Sequence, residues 1–282
     1  MSGGWIGVDF DGTIAHYEGW NGGELGKPIS ATLLACWPRG ERYYHRNAWA
    51  GALQRNGVWI LDSPASNAIS HYVHLVMYLL GATAGEAALP LKIQAELYRA
   101  NPIENYDTCT FRLNLSGDTK FFVALTHACN EQVDPEIEIV TDRAIVRLSG
   151  SKSIEVRMGD DVDIVNLDGT RYRSVIAAFA KRIRGAPDAP PGGTLEMARA
   201  HTTAINGASE CTPVRDVPAD WILTQTLPKD GTEIRVIREI IPMLRRCVQK
   251  QQLLSETGLA PWATQFGEMD LTNYKHFAGP KR

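Results

Sequence analysis

Thr108-Cys109-Thr110-Phe111-Arg112-Leu113-Asn114-Leu115, then Ser116-Gly117-Asp118 and an apolar run from Lys120 to His127, is the stretch that decides the fold. Cys109, Phe111, Leu113 and Leu115 alternate with Thr108, Thr110, Arg112 and Asn114, the period of a half-buried strand. Ser116-Gly117-Asp118 supplies a hairpin turn into the next strand, 120–127. Residues 91–98 read as a strand before this hairpin. Residues 136–140, 144–148, 154–158 and 162–167 read as strands after it. Consecutive strands joined by short turns predict a largely antiparallel sheet. Its second face would carry Thr108, Thr110, Arg112 and Asn114, exposed to solvent in an isolated chain.

Upstream, 32–37 and 58–61 read as strands and 66–80 as a helix closed by Gly81. Downstream, a helix over 172–184 precedes a Pro/Gly-rich loop, 185–193. Thr194 caps a further helix that runs to about 208. A last helix is expected over about 233–254, with Ile237, Ile240, Ile241, Leu244 and Val248 at helical spacing and a kink at Pro242. The fold class is α/β or α+β, an open, mostly antiparallel or mixed sheet with helices on one face.

The chain has 282 residues, enough for one large domain or two modest ones. A net charge of −3 leaves no electrostatic footprint for nucleic acid or an anionic membrane. The longest apolar run, 73–80, is too short to span a bilayer and is interrupted by His74. Asp9 and Asp11 stand where a signal peptide would need an apolar core. The five cysteines are scattered and form no C-x-x-C pair, so neither a zinc site nor a disulfide framework is indicated. A reducing cytoplasm is the expected setting.

The helix over 66–80 carries most of the candidate chemistry. Ile69, Val73, Val76 and Leu80 form one apolar stripe, and Ala68, Tyr72, Leu75 and Leu79 a second, so the helix is buried. Asn67, His71, His74 and Tyr78 nevertheless share a face. Polar groups on a buried helix need partners, and a substrate cleft or core carbonyls would supply them equally well.

A separate signature opens the chain. Trp5-Ile6-Gly7-Val8-Asp9-Phe10-Asp11-Gly12-Thr13 reads as a buried strand ending in two carboxylates that point the same way. Together Asp9 and Asp11 could hold one Mg²⁺, with one oxygen free to attack phosphorus. Residues 1–29 resemble the start of HAD-superfamily phosphohydrolases. Lys152 and Asp160-Asp161 are the candidates for the rest of such a site. The competing reading of Met158-Gly159-Asp160-Asp161 is an ordinary turn between strands.

The remainder points elsewhere. Trp37-Pro38-Arg39, Tyr43-Tyr44, Arg46-Asn47-Ala48-Trp49-Ala50-Gly51, Asp62-Ser63-Pro64 and Asn67-Ala68-x-x-His71-Tyr72 occur in order. They are followed by Tyr106-Asp107-Thr108, Thr126-His127-Ala128 and Pro261-Trp262-Ala263. This series resembles the C-terminal substrate domain of Gfo/Idh/MocA oxidoreductases over roughly 31–270. The chain then divides into a HAD-like segment, 1–30, and a substrate and oligomerisation domain, 31–282. The resemblance implies an NAD(P)-dependent oxidation of a sugar or polyol, and a homo-oligomer formed through the sheet. His71 matches the family's base, able to take a hydroxyl proton near neutrality. Asn67 stands where many members have an aspartate. Tyr44, Arg46, Asn47, Trp49, His74 and His127 are the candidates for holding the substrate, with loop packing as the alternative for Arg46, Asn47 and Trp49. No G-x-G-x-x-G follows a strand, and Lys27-Pro28 lacks the glutamate of the family's E-K-P motif. The expectation is therefore a substrate domain without its dinucleotide-binding half, unable to turn over alone, with no cofactor residues assignable. The alternatives are a Mg²⁺-dependent phosphohydrolase and a non-catalytic binding or assembly domain.

Overall fold

A computed structural model describes residues 25–83, 85–149, 153–166, 171–186, 193–228 and 230–282, with 171–175 as backbone alone. Asp9, Asp11 and Lys152, and with them the HAD-like strand, lie outside the described residues.

The elements run β1 (Pro28–Cys36), α1 (Glu41–Tyr44), β2 (Gln54–Arg55), β3 (Val58–Trp59), α2 (Ser70–Leu79), β4 (Pro90–Arg99), β5 (Thr108–Leu115), β6 (Lys120–Thr126) and β7 (Val133–Thr141). There follow β8 (Ile145–Ser149), β9 (Ser153–Met158), β10 (Asp161–Asn166), α3 (Arg171–Ile183), α4 (Leu195–Cys211), β11 (Val214–Asp216), β12 (Ile222–Thr226), β13 (Glu233–Ile237), α5 (Ile240–Lys250) and β14 (Gly267–Asp270). Among the described residues ten strands form one sheet in the order β10-β9-β8-β7-β1-β6-β5-β4-β11, and β14 also pairs with β4. The fold is mixed α/β, as the alternation in β5 predicts.

The expected meander is interrupted at one place. β1 lies between β6, to which it is parallel, and β7, to which it is antiparallel. Residues 31–36 are buried on both faces, and a strand with no polar face belongs at the centre of a sheet. Leu33 and Ala35 join Phe111, Leu113 and Val123 in one core, beneath α2 and α4. Leu34 and Cys36 join Phe122, Ile240, Leu244 and Cys247 in a second core, on the opposite face beneath α5.

That second core changes the reading of the face carrying Thr108, Thr110 and Arg112. It is covered by the chain's own residues. The Leu254 amide donates to Thr110 Oγ1 (3.3 Å), and Arg112 forms a two-pronged pair with Glu256 at 2.9 and 2.8 Å. Buried Glu96 accepts from Ser255 and Thr110 and pins the same turn.

Three boundaries differ from expectation. The stretch 233–254 is a strand and then a helix. Ile234 and Val236 are buried in alternation, and left-handed Glu239 (φ 55°) starts the turn into α5. Pro242 falls in the first turn of α5, where backbone N–H groups lack intrahelical partners anyway, so it produces no kink. The stretch 66–80 divides as well. Ser63 accepts from the Ser66 amide, Pro64–Ala68 forms a π-helical turn closed by the Ile69 amide on the Pro64 carbonyl (2.8 Å), and α2 begins at Ser70. Finally, the strand at 58–61 shrinks to β3, paired with β2 around Asn56-Gly57 at φ 51° and 80°.

Met158-Gly159-Asp160-Asp161 is the β9–β10 hairpin turn, with Met158 opposite Asp161 and Gly159 at φ 60°. Among the described residues no group of three or more His, Cys, Asp or Glu side chains is placed to hold a metal. Nor is any described helix long and apolar enough to cross a membrane.

Candidate functional site

The parallel pair β1 and β6 ends at Cys36 and Thr126, and the ladder continues one step beyond. The Trp37 amide donates to the Thr126 carbonyl (3.0 Å) and the Arg39 amide to the His127 carbonyl (3.1 Å). Trp37 and His127 are thereby held at the C-terminal edge of parallel strands, the usual ligand-facing edge of an α/β sheet. The His127 amide donates to the Asp107 carbonyl (2.8 Å), which ties the same corner to β5.

The His127 ring is almost fully buried. Its Nδ1 lies 2.8 Å from the Trp37 carbonyl oxygen, which can only accept. Nδ1 therefore carries the hydrogen, and neutral Nε2 presents a lone pair. Nε2 has no partner, and neither do Trp37 Nε1, Arg39 Nε or Tyr44 Oη close by in the chain. A buried polar atom left unpaired costs about 1–3 kcal/mol, so four in one corner mark a place where ligand groups would be welcome. Burial, reinforced by the Arg39 guanidinium, drives the His127 pKa down to about 3.

Aromatic rings and guanidinium groups alternate above this corner. Arg39 lies 5.5 Å from the Trp37 ring and 4.9 Å from Tyr43, while Arg46 lies 3.5 Å from Tyr43 and 5.0 Å from Trp49. The Tyr43 ring is 5.9 Å from His127. The short helix α1 supplies Tyr43 and Tyr44. Asn47 shapes the loop beyond it, its Oδ1 accepting from the Trp49 amide (3.1 Å) and the Ala50 amide (2.8 Å). On α2, the His71 ring stands 6.3 Å from Trp37 and 4.3 Å from Tyr72.

Tyr44, Arg46, Trp49, His71 and His127 thus surround Trp37 and Tyr43. Asn67 and His74 face other partners. Asn67 Nδ2 donates to Asp62 Oδ1 (2.6 Å), and the other oxygen of Asp62 accepts from the Gly51 amide (2.6 Å). His74 lies 6.4 Å from the ring of His201 on α4, whose Nε2 donates to the Ala65 carbonyl (2.9 Å). Burial lowers the pKa of both, that of His201 to about 4. Trp37, Arg39 and Tyr43 were not expected as site residues. Their signal was W-P-R immediately after an apolar strand, at the edge where a parallel sheet presents polar groups.

No family model and no curated protein matches this sequence. Solved structures do match. The WlbA dehydrogenase of Bordetella pertussis, in complex with NADH and UDP-GlcNAcA, is 19% identical, over 76% of this chain and 57% of that one, with a TM-score of 0.50. The WlbA dehydrogenase of Chromobacterium violaceum, in complex with the same two ligands, is 17% identical over 76% and 56%, also at 0.50. The UDP-N-acetylglucosamine 3-dehydrogenase GnnA of Acidithiobacillus ferrooxidans is 15% identical over 64% and 52%, at 0.48. This chain spans little more than half the length of these proteins. The structural neighbours are Gfo/Idh/MocA-type oxidoreductases, and this chain shares the fold of the part of them that it matches.

Proposed function

We propose that this chain is the substrate-holding part of an NAD(P)-dependent oxidoreductase acting on a sugar or polyol. The observation that carries the reading is the corner at the ends of β1 and β6. There, unpartnered Trp37 Nε1, Tyr44 Oη and His127 Nε2 lie beside aromatic rings. Sugars offer hydroxyls that both donate and accept, and C–H faces that pack on rings. His127 Nε2 accepts one hydroxyl hydrogen and Trp37 Nε1 donates to another. Trp49, Arg46 and Asn47 line the approach. His71, whose ring is 6.3 Å from that of Trp37, takes the proton of the hydroxyl to be oxidised. Asn67 acts through Asp62 as a positioning residue for the loop at Gly51.

NAD(P) enters this reading through the fold, and NADH is bound by both WlbA neighbours. The residues described here do not fit a dinucleotide. They contain no strand that runs through G-x-G-x-x-G into a helix, so no backbone cradle for a pyrophosphate is built from them. On this reading the described residues hold the substrate and leave the dinucleotide to be seated elsewhere.

We also infer association between copies through the strip β8–β10. β10 is an edge strand exposed along its length, with Val162, Ile164 and Val165 facing solvent.

Calorimetric titration with neutral hexoses, alditols and NADH tests the proposal. Sugar or polyol binding that is lost in His127→Phe is expected, with no tight NADH binding. Failure of every sugar and polyol to bind at millimolar concentration removes the substrate reading. Mid-micromolar NADH binding removes the claim that the dinucleotide has no seat here.

A further inference from the structure

Arg39 is held in an unusual way for a half-buried guanidinium. One Nη donates to the Pro38 carbonyl (3.1 Å). The ring faces of Trp37 and Tyr43 fix its plane. Among the described residues no carboxylate lies within ion-pair reach of it, and its buried Nε has no acceptor. The side of the fork formed by Nε and the second Nη is therefore unengaged. Arg46, stacked on the outer face of Tyr43, spends one Nη on the Tyr43 carbonyl (2.7 Å) and likewise has no carboxylate partner among the described residues.

Five other arginines are paired directly with a carboxylate, while Arg235 and Arg238, like Arg39, reach only backbone carbonyls among the described residues. Arg55, Arg99, Arg112, Arg147 and Arg245 each meet a carboxylate at 2.6–2.8 Å. Two unneutralised guanidiniums sharing one tyrosine, beside a neutral histidine, form a positive corner inside the candidate site. A free Nε–Nη edge matches two oxygens of a planar or tetrahedral anion. Binding such an anion would also ease the field that helps keep His127 uncharged.

We propose that the ligand held at this corner is an acidic sugar or polyol, its carboxylate or phosphate received by the free edge of Arg39 with Arg46 as the outer cation, and a neighbouring hydroxyl by His127 Nε2. This deepens the sugar-binding reading and rests on it. It identifies Arg39 as a specificity-determining residue. The outer members of the stack, Arg46 and Trp49, are exposed to solvent.

The test is a matched titration of the whole chain with glucose, glucuronate and glucose 6-phosphate, plus acetate and inorganic phosphate as anions without a sugar. At least one acidic sugar is expected to bind about tenfold or more tightly than glucose. That advantage is expected to vanish in Arg39→Gln, to shrink in Arg46→Gln and to fall with added salt. The carboxylate and phosphate arms show which anion is preferred. Equal binding of neutral and acidic sugars overturns the inference and leaves the sugar reading standing. Binding of acetate or phosphate alone, with no gain from the sugar, overturns the sugar reading and with it this one. An acidic-sugar advantage that survives Arg39→Gln overturns the assignment to Arg39, with unchanged circular dichroism of the variant excluding misfolding.

Discussion

His127 Nδ1 donates to the Trp37 carbonyl oxygen across 2.8 Å, and this bond fixes the chemistry of the opposite ring nitrogen. A carbonyl cannot donate, so Nε2 is the unprotonated nitrogen. Nitrogen-15 spectra of labelled protein are expected to show His127 as the Nδ1–H tautomer, unchanged from pH 8 to pH 5. An Nε2–H tautomer, or a midpoint near 6.5, would contradict the assignment.

The same histidine shapes acid stability. Burial, then the Arg39 charge, lowers its folded pKa from 6.5 to about 3, and burial lowers that of His201 to about 4. Below pH 6.5 the unfolded chain binds protons that the folded chain refuses. The stability these neutral rings contribute is full above pH 6.5 and is lost progressively as the pH falls toward 4 and then 3. Thermal melts should therefore show a declining Tm from pH 7 to pH 4, with a shallower decline in His127→Asn. An unchanged slope in that variant counts against a neutral buried ring.

Tyr43 lies between two cations, with Arg39 at 4.9 Å and Arg46 at 3.5 Å from its ring. Tyr43→Leu keeps the apolar bulk and removes the negative ring face. Each cation–π contact contributes about 0.5–1 kcal/mol at an exposed site. A loss of about 1 kcal/mol in urea unfolding is expected, because Arg46 is exposed and contributes at the lower end. A loss below the error of the measurement would mean that the stack orients the guanidiniums without stabilising the fold.

How legible this molecule was depends on which side-chain period dominates locally. β5 was readable because Cys109, Phe111 and Leu113 face a core while their neighbours face a different surface. The central position of β1 was not read, although the unbroken Leu33-Leu34-Ala35-Cys36 run is its signature, because apolar runs suit helices and buried strands alike. Ile237 fell at helical spacing with Ile240 and Ile241 and so hid the end of β13. The expectation that His71 and His127 belong to a site rested on their chemistry and order along the chain. Arg39 was missed because nothing local marks an arginine as unpaired. That property depends on which carboxylates the fold brings near it.

Gly81 illustrates the same limit. It was expected as a C-terminal helix cap, a position that often takes a positive φ, yet the residues at positive φ do not include it. What requires glycine is a close approach, since a Cβ there would stand 2.1 Å from the Glu86 carbonyl oxygen. Gly81→Ala should therefore cost about 1–3 kcal/mol, as overpacking does. At Gly57 a Cβ would meet nothing within 4 Å, and only the φ of 80° resists it, so Gly57→Ala should cost about 1 kcal/mol. Denaturant titration of the two variants, ranked in the opposite order, would reject this account.

The proposed association between copies has a direct readout. Ile164 in β10 is 59% exposed and Phe179 in α3 is 64% exposed, large apolar surfaces for an isolated chain. Light scattering is expected to give a mass at least twice that of one chain, reduced to a monomer by Ile164→Asp. A monomeric wild-type chain at high micromolar concentration would exclude the interface.

Asn67 offers the most discriminating substitution, because Asp62 already fills the space where an acid would act. Its two oxygens accept from Asn67 Nδ2 and the Gly51 amide, each at 2.6 Å. Asn67→Asp, which introduces the aspartate that the sequence resemblance implies for this position, replaces a donor with a second acceptor against a buried carboxylate. Two carboxylates at that separation cannot both be ionised without a large cost, so one must take up a proton. Its folded pKa is then raised above the unfolded value. The variant is penalised at neutral pH, by about 2–4 kcal/mol for a lost charge-assisted bond plus repulsion. The penalty fades as the pH falls through that raised pKa. Melts of wild type and variant should therefore converge between pH 7 and pH 5. A pH-independent gap between them would mean that Asn67 swings away from Asp62, which would free residue 67 to face His71.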